Sequence, residues 1–478
     1  MTVTTLKHHQ DHKPGSITEM LAIAIPMIVS YASETIMTFT DRLFLSRLAP
    51  EIMNAAMGGG LTAFMMSTFF MGLIGYSTAL VAQYFGANRK NSCPTVTTQA
   101  LIIALISYPL VLLMKPLAIK LFDLTHVPAV QLGYQIDYFN ILIYGAIIGL
   151  LRTALTSYFS GIGRTKIVMV SMIITMLVNV GMNYILIFGK FGLPAMGIRG
   201  AALGTLTGGL VGVLILFAAY FSKNNREEFH VMKSFRYYGQ VMKKLLKYGY
   251  PPGLEFILNL FAFNLLILIF HSLGDVTATA TTIMFNWDNV SYVPLIGIEI
   301  AVTSLVGRYM GAQKIEIATK VAASAFKTGI MYSAVILVLF VFLPNQLVQV
   351  FRPVEANAIF EQAVPTAVFM LRVAAIYVLI EAAIATCIGV LRGAGDTRWS
   401  MIASVILHYI MVGGLYLVIK VFNMGARAGW IVVVCVFMMF SVVFYFRYRG
   451  GKWKKIKLVE KNPGEANGTN VSDSVKDH

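Results

Sequence analysis

The residues of this chain best placed to do chemistry are carboxylates inside apolar runs. Glu255 stands in KKLLKYGYPPGLEFILNLFAFNLLILIF (243–270), and nothing charged follows it until Asp275. Glu381 stands in AAIYVLIEAAIATCIGV, and its nearest charged neighbours, Arg372 and Arg392, are each more than two helical turns away. A carboxylate at the centre of a membrane-spanning helix costs about 2.5–3.5 kcal/mol on insertion scales. Such a group is expected to face a polar interior and to take up a proton or a cation there. The competing readings are structural: Glu255 reaching the headgroups, Glu381 kept neutral and bonded to a neighbouring helix.

More polar residues fall at helical spacing around these two. Asp288, Tyr292 and Glu299 in WDNVSYVPLIGIEIAV share one helix face. Asn259 follows Glu255 by one turn and Tyr377 precedes Glu381 by one turn. Earlier in the chain Glu34, Thr38 and Asp41 fall at i, i+4 and i+7, although Arg42 directly after Asp41 also allows a local pair at the membrane surface. Asn179 and Asn183 in MLVNVGMNYILIFG can offer neutral oxygens to a cation, bond a buried carboxylate or bridge helices. Carboxylates crowded in a dry site favour taking up a proton. The same oxygens, with amides and hydroxyls, make a hard-cation site. Proton and sodium both stay open, with Glu255 and Glu381 as ligands for a monovalent cation.

These groups must be positioned by membrane helices. The chain has 478 residues, 57% hydrophobic and 13% charged, a composition outside the soluble range. Each span needs about 20 mostly apolar residues. Twelve stretches qualify: 18–45, 54–84, 96–119, 132–159, 167–189, 199–222, 248–272, 278–307, 321–343, 364–391, 399–420 and 428–447. With both tails on one side, the loops of that side hold 26 Lys and Arg against 8 opposite, which predicts cytoplasmic termini. His8 and Lys452 are then cytoplasmic.

The chain also repeats. VAQYFGANRK (81–90) returns as VGRYMGAQK (306–314), SGIGRTK (160–166) as RGAGDTR (392–398), and Pro26 as Pro251, at offsets of 225, 232 and 225. Two six-span halves in the same orientation are expected, with a site between or within them. The organisation is an N-terminal tail (1–16), a first lobe (17–222), a basic linker (223–247), a second lobe (248–447) and a polar tail (448–478). The linker reads as a basic surface helix. Glycines 200, 204, 208 and 212 line one face of span 6 and predict a close helix contact.

Other classes are excluded or disfavoured. There is no G-x-x-x-x-G-K-[ST], so no ATP-driven domain lies in the chain, and neither H-E-x-x-H nor G-x-S-x-G occurs. Cys93, Cys387 and Cys435 are far apart and imply neither zinc nor a disulfide framework. The net charge of +16 lies in short loops, which argues against nucleic acid. An enzyme would gather its catalytic residues at one membrane face, and a receptor needs no repeated halves. The loop FGANRK lacks the major-facilitator signature.

TDRLFLSRL, VAQYFGANRK, FSGIGRTK, NVGMNYILIFG and GIRGAALGT, followed by LVGRYMGAQK and GVLRGAGDTR, resemble the multidrug and toxic compound extrusion (MATE) transporters over residues 18–447. The resemblance implies an all-α integral membrane fold of twelve helices in two six-helix lobes forming a V-shaped cavity. It implies export of bulky, often cationic organic compounds against inward sodium or protons, with no enzymatic activity, no cofactor and no ATPase subunit. A monomer in contact with membrane lipids, in a bacterial inner membrane, is expected. Glu255 and Glu381 match the family's acidic positions in spans 7 and 10, Asp41 the acidic position of span 1, and Asn179 the polar position of span 5. The pairing is similar to the NorM-like branch. Glu381 stands where Asp is common, and Asn183 stands without the second acid of the DinF-like branch, which favours the second lobe as the coupling site. A dedicated exporter of the colibactin-precursor type and a flippase for lipid-linked oligosaccharides are the alternatives.

Overall fold

The computed structural model describes residues 13–124, 128–353 and 358–459. His8 and the sequence beyond residue 459 lie outside the described residues. Secondary structure among the described residues is entirely helical. Eleven helices are long and apolar enough to cross a membrane, and a pair bent by 45° at Gly145, Val130–Tyr144 and Ala146–Gly161, makes a twelfth. In chain order spans 1 to 6 are Ile17–Ser46, Glu51–Gly86, Ser92–Leu113, the bent pair, Thr165–Phe188 and Gly197–Tyr220. Spans 7 to 12 are Gly239–His271, Asp275–Gly311, Ile315–Phe342, Ala358–Ala394, Thr397–Val421 and Ala426–Lys455.

The linker is not the single surface helix expected from its charge. A short helix Lys223–Phe229 ends at His230, whose φ of 53° turns the chain. A 3-10 turn, Val231–Ser234, follows, and the helix of span 7 starts at Gly239, inside the basic stretch. Pro251 and Pro252 therefore sit within span 7 rather than opening it. Membrane helices tolerate such prolines where neighbours pack against the weakened turn. Here span 2 does so: a Cβ on Gly253 would stand 2.4 Å from the Phe69 carbonyl oxygen.

The internal repeat reappears as reciprocal contacts between the lobes. A Cβ on Gly86 would stand 1.8 Å from the Arg308 carbonyl oxygen, and one on Gly311 would stand 2.0 Å from that of Gln83. Gln83 and Arg308 are equivalent in the repeat, as are Gly86 and Gly311. Ala82 and its equivalent Gly307 face each other on the axis between them, 3.0 Å from Cβ to Cβ once Gly307 is given one. Deeper in the spans Gly72 meets the backbone of Gly253 and Gly297 meets that of Ile28, again an equivalent pair. Side chains follow the same symmetry to within one residue at the acceptor. Gln83 donates to the Gly393 carbonyl (2.8 Å) and Arg308 to that of Ile162 (3.2 Å).

All these contacts lie in the halves of the spans nearest the chain's two tails, so the lobes converge at that end like the arms of a V. Each lobe also lends its first span to the other. Met20, Ile23 and Ala24 of span 1 pack in the second lobe's core, and Met242 and Leu245 of span 7 in the first lobe's. Gly86→Ala is expected to force the lobes apart at this end, at a cost of about 1–3 kcal/mol for overpacking. Faster thiol labelling of an Ala82→Cys probe in the Gly86→Ala background is the readout. Unchanged labelling would mean that the contact does not hold the lobes.

Candidate functional site

The polar residues form four groups, two in each lobe. In the first lobe the glycine face of span 6 lies directly on span 5. A Cβ on Gly204 would stand 1.9 Å from Asn183 Oδ1, so only glycine leaves room for that amide. Asn183 Nδ2 donates to Asp41 Oδ1 of span 1 and, at 3.3 Å, to Asn179 Oδ1. Thr205 of span 6 donates to Asp41 Oδ2 (3.2 Å) and accepts from Asn179 Nδ2 (3.3 Å). All three sequence candidates are buried. Thr205 was hidden from the sequence by the glycine stripe that surrounds it. Asn183→Ala is expected to remove one of Asp41's two donors and to cost about 1–3 kcal/mol. Detergent-solubilised unfolding measures it, and a wild-type melting curve would contradict the contact.

Glu34 shares a face with Asp41 but does different work. Its Oε1 accepts from Arg152 Nη2 of span 4 at 2.8 Å, and Arg152 Nη1 reaches Met172 Sδ at 3.3 Å. The Glu34 side chain keeps 38% exposure and that of Arg152 20%, so this pair is more open than the Asp41 group.

In the second lobe the six candidates separate. Glu255 and Glu299 share the guanidinium of Arg392: Nη1 to Glu299 Oε1 is 2.6 Å and Nη2 to Glu255 Oε1 is 3.4 Å. Glu255 is 3% exposed, and its Oε2 has no hydrogen-bond partner among the described residues. Asn259, one turn on, donates to Ser404 Oγ of span 11 at 2.8 Å. Further along span 8, Tyr377 of span 10 donates to Asp288 Oδ1 at 2.5 Å. Glu381 is buried, lies within electrostatic reach of Asp288, and also leaves its Oε2 unpartnered among the described residues.

Asp288 and Glu299 are about 16 Å apart along span 8 by helical rise. Tyr292 stands between the two groups, within electrostatic reach of both carboxylates, Glu381 and Arg392. Tyr31 of span 1 likewise feels Glu34, Arg152 and Glu299, so the two ion-paired groups approach each other where the lobes meet. Glu255 and Glu381 thus have different partners. No group of three or more His, Cys, Asp or Glu among the described residues is arranged to hold a metal ion. The acids, amides and hydroxyls present are hard oxygen donors, a set that suits a proton or an alkali cation.

Sequence reasoning missed Arg392 and Arg152. It counted Arg392 as a loop cation because it follows the apolar run, yet the helix of span 10 continues to Ala394. Two unmatched acids on spans 7 and 8, with an arginine three turns past Glu381, were the available signal.

Repeated six-span lobes converging on buried ion pairs and acids define a polytopic membrane protein with a two-lobed transporter fold. The chain belongs to the MatE family, whose model matches residues 26–185 and 251–417. It is similar to the probable multidrug resistance protein NorM of Thermotoga maritima, 24% identical and covering 91% of this chain and 93% of that one. The NorM of Bacillus subtilis is 26% identical over 90% of this chain and 95% of its own. The multidrug resistance protein MdtK of Yersinia enterocolitica is 28% identical over 79% and 82%. A solved structure described as the outward-facing conformation of a multidrug resistance MATE family transporter of the MOP superfamily has TM-score 0.84 at 22% identity, covering 95% of this chain and all of that one. A MOP superfamily transporter from Pyrococcus furiosus has TM-score 0.85 at 21% identity with the same coverage. At these identities the structural likeness establishes the fold.

Proposed function

We propose that this protein is a cation-coupled antiporter that exports bulky organic, often cationic, compounds by alternating access. The NorM and MdtK relatives, all described as multidrug resistance proteins, support export. The observation that carries the coupling is Glu381. It is buried in the middle of span 10 beside a second acid, with one carboxylate oxygen lacking a hydrogen-bond partner among the described residues. Two acids so placed call for added positive charge, a proton or a sodium ion, with the Tyr377 hydroxyl adjacent.

Arg392 gives the Glu255–Glu299 group its own cation, so within the second lobe the Asp288–Tyr377–Glu381 group is the place where an exchangeable one would act. A coupling ion and an organic cation that oppose each other energetically there would drive exchange. The loop charge bias supports a bacterial inner membrane with both termini in the cytoplasm.

Expression in efflux-deficient cells tests the export reading. Lower accumulation of several unrelated organic cations than in empty-vector cells is expected, with Glu381→Gln returning accumulation to the vector level. Export of one compound from the panel would narrow the reading to a dedicated exporter on the same scaffold. Accumulation equal to the vector for all of them would overturn it.

A further inference from the structure

We infer that an anionic phospholipid docks in a groove at the seam between span 2 of the first lobe and span 7 of the second. The groove, about 560 Å³, is walled by Phe69 and Leu73 on one side and by Met242, Leu246, Lys243 and Lys247 on the other. Its apolar walls offer a surface for part of an acyl chain. Lys243 and Lys247 are one turn apart, on one helix face and exposed at its rim. Neither has a carboxylate partner among the described residues.

Tyr237, 68% exposed, and Tyr250 line the same groove. Aromatic hydroxyls beside lysines are the composition expected at headgroup level. The Arg398 guanidinium lies 5.6 Å over the Tyr250 ring and adds a third positive charge nearby. Apolar walls capped by uncompensated cations complement a lipid that has acyl chains and a negative headgroup. A zwitterionic lipid would fill the walls but leave the lysines without a net counter-charge.

The groove's two walls come from the two sequence halves, with the tail-side part of span 7 lent to the first lobe's core, and they are held together by close backbone packing. A Cβ on Gly249 would stand 2.6 Å from the Leu73 carbonyl oxygen. Drawing span 7 off span 2 as the lobes separate at this end would dismantle the groove. A lipid bound there therefore favours the converged arrangement by linkage.

The test uses the full chain and phosphatidylglycerol against phosphatidylcholine. Native mass spectrometry of the wild type is expected to show roughly tenfold preferential retention of phosphatidylglycerol, since each lysine near a headgroup favours an anionic lipid several-fold. K243Q/K247Q should lose that preference, and K190Q/K420Q, which neutralises exposed lysines at the opposite end of the spans, should keep it. In vesicles, phosphatidylglycerol should slow thiol labelling of Ala82→Cys with the lysines present and leave it unchanged in K243Q/K247Q. Equal preference in the wild type and K243Q/K247Q, or equal loss in both double variants, would overturn the site. Labelling indifferent to lipid would overturn its link to the lobe arrangement.

Discussion

Arg392→Gln is expected to destabilise the protein by about 3–5 kcal/mol, the cost of leaving buried charge without its partner. The guanidinium serves Glu299 at 2.6 Å and Glu255 at 3.4 Å, and each of those acids is less than one-tenth exposed. Removing it leaves two carboxylates facing each other in a dry region, which is worse than losing either acid alone. Glu299→Gln should therefore be milder than Arg392→Gln, because one acid and the arginine still pair. The triple variant Arg392→Gln/Glu255→Gln/Glu299→Gln should recover much of the loss, since it removes every charge of the group together. Thermal unfolding in detergent reads all three. Additive losses across the triple variant would show that the three side chains do not act as one unit.

The second large effect concerns coupling. Glu381→Gln and Asp288→Asn are each expected to reduce gradient-driven transport at least tenfold while the protein stays folded and monodisperse. Each change keeps the side chain's shape and removes the charge that a proton or sodium ion would meet. Asp288→Asn also weakens the acceptor of the 2.5 Å Tyr377 hydrogen bond, so Tyr377→Phe should produce a smaller loss in the same direction. Glu255→Gln is expected to impair transport by a different route, by unbalancing the Arg392 group at the lobe junction. Transport by Glu381→Gln at the wild-type rate would remove the exchangeable site from the second lobe.

Much of this architecture was legible in the sequence because membrane helices and repeats leave periodic marks. Apolar runs of span length gave the helices, and the 225-residue offset returned in the structure as the reciprocal Gly86–Arg308 and Gly311–Gln83 contacts. The glycine stripe of span 6 predicted a close helix contact, and the structure makes it with span 5. The buried acids stood out because few charges interrupt the apolar runs. What the sequence hid was pairing across distance. Arg392 and Glu255 are far apart in the chain, and no local pattern joins them. The same holds for Arg152 with Glu34, and for Thr205 with Asp41. Residues read as one set on one helix face, such as Asp288 and Glu299, proved to serve separate groups because each turns to a different neighbour. The start of span 7 was obscured by Pro251 and Pro252, which usually mark a helix boundary but here lie inside one, packed against span 2.

Export driven by an inward cation gradient through the Asp288–Glu381 group can be measured in a reconstituted system. Purified protein in liposomes preloaded with a fluorescent organic cation, given a sodium gradient or a proton gradient separately, measures it directly. Dye movement driven by one of the two gradients is expected in the wild type, and none in Glu381→Gln shown to be folded. Dye movement that ignores both gradients, or that persists unchanged in Glu381→Gln, would contradict it.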